Sequence, residues 1–356
     1  MFIENRITDL EKIDNTGEVL SDPKSSGKER PWKNHRVESL KLAKSYRRLG
    51  MIKKAERVSE CASFLKFMEC PKGHTKRLTW ANFCRVRLCS MCTWRKSLLV
   101  SHQVRLVTHE ANKREKLRWL FLTLTVQNIE GENLSVELGK MMKAWQRFSQ
   151  RKAFSKNVVG WFRALEITRN NDKKSEWYDT YHPHFHVLIA VKPSYFKGGN
   201  YLSQKEWTSL WQKSMQVDYT PIVHVQAVKN KRNIEKENQI LEKQSEVEAL
   251  NKAVLETAKY PLKSADFLLD DEKATDSAVS VLDSAMDRRR LLAYGGLLKE
   301  IWVELQNADK VQDVEDEDVD MVHVDGTPKE CKCSTCGSNM LEHLYSWNIG
   351  TRNYIG

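Results

Sequence analysis

The sequence predicts an α+β fold, a central antiparallel sheet flanked by helices, with a metal-binding cysteine-rich region before it. Three observations lead there. Between residues 117 and 306, runs of apolar and β-branched residues alternate with stretches of helical spacing. Two of those runs are joined by a short polar loop of the hairpin kind, at residues 169–178. Five of the eight cysteines crowd between Cys61 and Cys92. This order of strands and helices suits helices packed on an antiparallel sheet better than a doubly wound parallel one.

Residues 1–32 are polar and read as a loose tail. A basic region, 33–116, follows. Within it, Val37, Leu40, Ala43, Leu49 and Ile52 recur at helical spacing over 36–60, among many Lys and Arg, with Gly50 as a possible break. The cysteine block occupies 61–96, and 98–117 reads as a helix. Residues 119–126, Trp-Leu-Phe-Leu-Thr-Leu-Thr-Val, have the composition of a central strand. Leu134, Leu138, Met141, Met142, Trp145 and Phe148 predict a helix over 133–154. Strands follow at 158–168, 184–191 and 222–228, with a helix at 204–215 between the last two. Residues 229–256 are highly charged and predict a long solvated helix continuing towards Tyr260, where Pro261 disturbs it. Helices are expected at 275–292 and 296–305. The segment 307–328, strongly acidic over 313–320, reads as a disordered linker that sets apart a small cysteine-rich tail, 329–356. No internal repeat is visible.

Bulk properties narrow the function classes. Charged residues make up 29% of the chain. No run approaches the ~20 apolar residues of a spanning helix, and the N-terminus lacks the apolar core of a signal peptide. A cytoplasmic protein with no membrane partner is expected. The net charge of +11 favours polyanionic partners such as nucleic acid. Clustered cysteines without an export signal point to metal before disulfides.

The sharpest motif is His182-Pro-His184-Phe-His186 at the start of the third strand. Side chains alternate faces along a strand, so His184 and His186 point the same way while Phe185 and Val187 face the core. Two imidazoles can hold one divalent cation if a neighbouring strand supplies a third ligand. Glu166, across the hairpin-like loop, is the candidate. Such a donor set suits Mg²⁺ or Mn²⁺ as well as Zn²⁺, and leaves positions open for phosphate oxygens. His182 is a spare ligand, a supporting group or a loop residue.

Beyond the sheet, Glu256, Tyr260 and Lys263 fall at i, i+4 and i+7, one face of a helix. A phenol has a free pKa of about 10 and is a poor nucleophile until a cation polarises the phosphate it attacks. Attack on a phosphodiester would leave a covalent phosphotyrosine at Tyr260. Lys263 would stabilise phosphate charge, and Glu256 would activate water for release.

Among the cysteines, Cys89-x-x-Cys92 is a zinc-knuckle half-site. Cys61 and Cys84 are the favoured partners for a tetrahedral structural Zn²⁺, with Cys70 and His74 as the rival pair. Arg85, Arg87, Arg95 and Lys96 in the same block suit phosphate contacts and mark a DNA-binding surface. Trp94 beside Arg95 suits stacking on unpaired bases, whereas Trp145 is spaced as a core residue. Cys331, Cys333 and Cys336 with His343 form a further possible zinc set.

Together these motifs resemble the HUH endonuclease superfamily, and within it the rolling-circle plasmid replication initiators of Gram-positive bacteria. The resemblance rests on Phe121-Leu-Thr-Leu-Thr125, Pro183-His-Phe-His-Val-Leu188, and Glu256, Tyr260 and Lys263 at their spacing. It rests also on the block from Phe83 to Ser97 and on Arg290-Leu-Leu-Ala-Tyr-Gly-Gly-Leu-Leu-Lys299. The five motifs occur in the family's order over about residues 61–301. The resemblance implies an RRM- or palm-like sheet carrying a DNA endonuclease and strand transferase. His184 and His186 would hold the cation. Tyr260 would nick one strand at the double-strand origin, keep the 5′ phosphate and free a 3′ hydroxyl for the polymerase. Glu256 would direct hydrolysis when the strand is closed at termination. Origin DNA, double- and single-stranded, and the host helicase and DNA polymerase are the implied partners. Ser90 stands where the family pattern has proline, which leaves the Cys89-x-x-Cys92 spacing intact. Two other readings compete: a zinc-dependent DNA-binding regulator without catalysis, which leaves the paired histidines unexplained, and a related transposase or relaxase.

Overall fold

The computed structural model describes residues 17–24, 26–228, 239–258, 262–316, 318–324 and 331–356. Near the N-terminus these include α1 (Trp32–Arg48), α2 (Ile52–Glu60), β1 (Phe64–Glu69), β2 (Lys76–Ala81) and α3 (Ser90–Arg114). Next come β3 (Arg118–Thr125), α4 (Gly131–Gln150), α5 (Lys152–Asn157), β4 (Val158–Arg169) and β5 (Tyr181–Val191). They are followed by α6 (Gln204–Met215), β6 (Val223–Ala227), α7 (Gln239–Thr257), α8 (Glu272–Met286), β7 (Leu292–Gly296) and α9 (Leu297–Asn307). The last two strands are β8 (Leu341–Asn348) and β9 (Asn353–Ile355). The architecture is α+β, with two antiparallel sheets ordered β2-β1-β8-β9 and β6-β3-β5-β4-β7. The chain forms two compact units, one running to Arg95 and resuming at Asp320, the other spanning Lys96–Val319.

The Lys96–Val319 unit holds the five-stranded sheet. Its central strands β5 and β4 are covered on both sides, which accounts for their near-continuous apolar runs. On one face Phe185 meets Trp145 and Trp211, with ring centroids 5.9 and 6.1 Å away, so α4 and α6 cover that face. Arg163 is buried there with its guanidinium 4.4 Å over the Phe185 ring, and burial lowers its pKa to about 10. The opposite face carries the even-numbered residues of β4 and β5, among them Glu166, His184 and His186.

Several expectations for this unit need correction. The helix predicted over 275–292 stops at Met286, and Leu292–Gly296 is an edge strand on β4. Its Ala-Tyr-Gly-Gly core lacks the branched residues that mark strands. It pairs because of what the glycines permit: a Cβ on Gly295 would sit 2.2 Å from the Trp161 ring. Gly296 takes φ 56° and ψ −144°, a region essentially reserved for glycine, and a Cβ there would lie 2.3 Å from the Val159 carbonyl oxygen. Gly296→Ala should therefore cost about 3 kcal/mol, combining backbone strain and a steric clash, read as a lower urea midpoint at unchanged slope. The acidic segment is not a disordered linker across its described residues. Val311, Val314 and Val319 are buried, and Asp313 pairs with Arg290 at 2.8 Å. The apolar residues spaced between the acids anchor the segment, which a reading of charge alone overlooks.

The other unit contains the four-stranded sheet. Strands β1 and β2 lie within the cysteine block. Of the expected tail 329–356, the described residues, 331–356, do not stand apart: β8 pairs with β1 along its length, from Phe64 opposite Ser346 to Glu69 opposite Leu341. Alternating burial along β1 is the signature of a half-covered strand, but the partner strand lies some 280 residues away in sequence. The predicted helix over 36–60 is two helices, broken where Gly50 adopts φ 72°. Of the expected N-terminal tail, residues 1–16 lie outside the described residues. The described residues after them are tied into the fold: Val19 bridges Ile355, and the buried Asp22 carboxylate accepts hydrogen bonds from Arg30 (2.6 Å) and the Trp32 indole (2.8 Å).

Candidate active site

Register brings the triad together. Across the β4–β5 hairpin, Glu166 lies opposite His184, and His186 lies opposite Ala164, one pleat along on the same face. One carboxylate oxygen, Glu166 Oε2, sits 2.9 Å from His186 Nε2 and 3.5 Å from His184 Nε2. Glu166 and His184 are buried and His186 is half-buried. Burial pushes the Glu166 carboxyl up, but hydrogen bonds from His184 and His186 outweigh it and hold the group well below the usual carboxylate range.

The far side of each ring is also engaged. His184 Nδ1 lies 3.1 Å from the His182 carbonyl oxygen, and His186 Nδ1 lies 3.3 Å from the Thr123 hydroxyl on β3. A carbonyl only accepts, so His184 Nδ1 carries a proton, which leaves Nε2 as the atom that would offer its lone pair to an ion in place of its hydrogen bond to Glu166. Carboxylate plus two such imidazoles is a donor set fit for a divalent ion. Phe121 stacks on His186 at 5.3 Å and limits its rotation. His182 contributes its backbone to this arrangement and lies outside the ligand group.

A cation from the chain reaches the same carboxylate. Lys263 Nζ is 3.4 Å from Glu166 Oε1, and its segment is held by Asn171, whose amide donates to the Ala265 carbonyl at 3.1 Å. With its Lys263 end exposed to solvent, that ion pair adds little stability. Helix α7, which carries Glu256 near its C-terminus, packs against β5. Tyr260 lies outside the described residues.

In the other unit, Cys61, Cys84, Cys89 and Cys92 are all buried with their sulfurs gathered together. Cys61 Sγ is 3.5 Å from Cys89 and 3.6 Å from Cys92, and Cys84 is 3.7 Å from Cys92. A tetrahedral ion bonded to sulfur at about 2.3 Å sets sulfurs about 3.8 Å apart, whereas a disulfide needs about 2.05 Å. Backbone N–H groups of Cys84 and Arg85 point at Cys61 and Cys92 (3.4 and 3.2 Å), and Ser39 Oγ lies 3.2 Å from Cys89. These contacts offset negative charge on the sulfurs.

Residues 75–355 match the family model described as replication protein. The chain belongs to the replication protein family. A protein called "Protein rep" from Bacillus amyloliquefaciens is 41% identical over 352 residues, covering 96% of this chain and 98% of its own. One of the same name from Lentilactobacillus hilgardii is 40% identical over 340 residues, covering 95% and 98%. Another, from Streptococcus pneumoniae, is 38% identical over 318 residues, covering 87% and 92%. No solved structure gives a significant match. Among the described residues no helix is long and apolar enough to cross a membrane.

For this family member, two of the four expected DNA contacts need correction. Arg95 is buried, with Nε and Nη2 donating to the Met321 and Val322 carbonyls at 2.9 and 2.8 Å, and its guanidinium packs over Trp32 and Trp94. Lys96 is buried as well. Both were read from basic composition, which cannot tell a structural cation from a surface one. Arg85 is exposed and Arg87 half-buried. Trp94 is engaged inside the fold, stacked on His35 at 5.0 Å and edge-on to Trp32 at 4.7 Å, and Trp145 is core. A groove on this unit that no sequence motif marks is lined by Lys41, Lys44 and Arg47 of α1 together with Trp347 and Arg352. The basic face of the amphipathic helix was its available signal. Cys70 and His74 do not join the Cys61 group, and His343 and Cys331 are exposed and belong to no ligand group among the described residues.

Proposed function

We propose that this chain is a rolling-circle initiator of plasmid replication, nicking one strand of origin DNA with Tyr260 as nucleophile. The observation that carries the reading is the convergence of Glu166, His184 and His186, with both rings oriented from behind and Lys263 beside them. Membership of the replication protein family agrees with it. On this reading the five-stranded sheet is an HUH endonuclease domain, and the cytoplasm of a Gram-positive bacterium is its setting.

A Mg²⁺ or Mn²⁺ ion on the triad would supply polarisation of the scissile phosphate. The Tyr260 oxygen attacks phosphorus, a phosphotyrosine bond forms, and the bond to the 3′ oxygen breaks. The phenol proton is lost and the leaving oxygen is protonated to a 3′ hydroxyl, which primes the host polymerase behind the host helicase. Lys263 neutralises charge on the phosphoryl oxygens. At termination Glu256 takes a proton from the water that hydrolyses the phosphotyrosine bond. A structural Zn²⁺ on Cys61, Cys84, Cys89 and Cys92 orders the other unit. Its exposed bases, Arg85 and the Lys41, Lys44, Arg47 and Arg352 groove, offer phosphate contacts to the origin.

The test is nicking of a supercoiled plasmid carrying the cognate origin, with Mg²⁺ or Mn²⁺, followed by detection of a protein–DNA adduct. Glu256→Ala should nick within a few-fold of the parent rate but accumulate adduct. Hydrolytic release at the parent rate would remove Glu256 from termination.

A further inference from the structure

We propose a second zinc site, held by Cys70, His74, Cys333 and Cys336, that joins the two ends of the chain within one unit. The four side chains come from segments more than 250 residues apart, yet their ligand atoms form one group. Cys70 Sγ is 3.6 Å from Cys336 Sγ and 3.7 Å from His74 Nδ1, and Cys333 Sγ is 3.9 Å from the same nitrogen. An ion bonded to sulfur at about 2.3 Å and to nitrogen at about 2.05 Å calls for separations of about 3.6–3.8 Å. The sulfurs are too far apart for a disulfide bond.

The backbone is built for it twice over. In the turn between β1 and β2, the Gly73 N–H donates to the Cys70 carbonyl at 2.8 Å, and the Cys70 N–H to the Thr75 carbonyl at 2.9 Å. In the turn before β8, the Gly337 N–H donates to the Cys333 carbonyl at 2.8 Å, and the Cys333 N–H to the Ser338 carbonyl at 2.9 Å. Each turn is thus a knuckle closed by a glycine at positive φ, Gly73 at 72° and Gly337 at 67°. Each presents two ligands: Cys70 and His74 from one, Cys333 and Cys336 from the other. Hydroxyls support the sulfurs, with Thr75 3.6 Å from Cys333 and Ser338 3.3 Å from Cys336. Met68 and Met340 pack beside the cluster and shield one side of it.

Its place in the fold gives the site a task. Strands β1 and β8 pair directly beside it, so an ion there fixes the end of that pairing and closes the four-stranded sheet across the chain's two ends. Because metal binding needs a folded site, it couples the C-terminal segment to the N-terminal one.

Zinc content of the full-length, reduced protein tests this without DNA, so its failure would leave the nicking assignment standing. The parent should carry at least two zinc ions per chain. Cys333→Ser combined with Cys336→Ser should lose one relative to the parent, and Cys331→Ser none. His74→Cys should keep the ion and, with Co²⁺ in place of Zn²⁺, strengthen the thiolate-to-cobalt absorption as a fourth sulfur replaces nitrogen. A parent with fewer than two ions, an unchanged content in the double variant, or a Cys70–Cys336 disulfide in the native protein would each overturn the proposal.

Discussion

Replacing Tyr260 with phenylalanine should abolish both nicking and the covalent adduct, lowering the nicking rate by at least about 10³-fold, within the losses seen when other covalent enzymes lose their nucleophile. One oxygen is removed, and it is the atom that would form the new bond to phosphorus. Ring size and the Glu166 triad stay as they were, so binding to origin DNA should remain at the parent level. That contrast makes the result diagnostic. A variant that fails to bind has lost its fold or its DNA surface, whereas one that binds without nicking has lost its nucleophile. Parent-rate nicking by Tyr260→Phe would end the assignment of Tyr260, and with it the single-tyrosine cycle.

The second large effect is expected for Glu166→Ala. Removing an outer partner of a metal ligand costs about 10–100-fold in affinity or activity, and Glu166 is placed to be a ligand itself. The loss should therefore exceed about 10²-fold in nicking at low Mg²⁺ or Mn²⁺. It should shrink as the ion concentration rises, because His184 and His186 keep their orientation through the His182 carbonyl and the Thr123 hydroxyl. A divalent-ion titration of the nicking rate reads this directly. If the titration curve of Glu166→Ala overlays that of the parent, the carboxylate does not serve the ion, and Glu166 is only the electrostatic partner of two imidazoles.

Much of the site was legible because it depends on short-range rules. Strand alternation puts His184 and His186 on one face whatever the tertiary context, and a hairpin-like loop makes the strand before it the natural neighbour, which singles out Glu166. The ring-orienting groups were harder. Thr123 acts through β3–β5 pairing, and the sequence alone does not say which β3 residue lies opposite His186. The His182 carbonyl is backbone and carries no residue signal. In the cysteine block, spacing proposed the Cys61, Cys84, Cys89 and Cys92 group, and these sulfurs do gather together. Spacing could not pair Cys70 and His74 with Cys333 and Cys336, since the partner turn lies at the far end of the chain.

The limits of composition are equally physical. Arg95 and Lys96 looked like surface bases, but a long aliphatic stem with a polar head serves inside a fold when carbonyls meet the head, as Met321 and Val322 do for Arg95. The acidic segment looked solvated, but Val311, Val314 and Val319 between its acids are buried and anchor it.

From its sequence by itself, this protein's α+β class, its strand-borne histidines and the Cys89–Cys92 half of its first cysteine cluster could be read, because each follows from a period of two, a helical spacing or a C-x-x-C turn; that Cys61 and Cys84 complete the cluster rather than Cys70 and His74 was decided by the tertiary structure. Only the tertiary structure decided that β7 closes the sheet through two glycines, that β8 returns to β1, and that Cys70 and His74 meet Cys333 and Cys336. Those outcomes turn on contacts between distant segments. Local spacing fixes which way a side chain points, but it does not specify which remote segment will pack there.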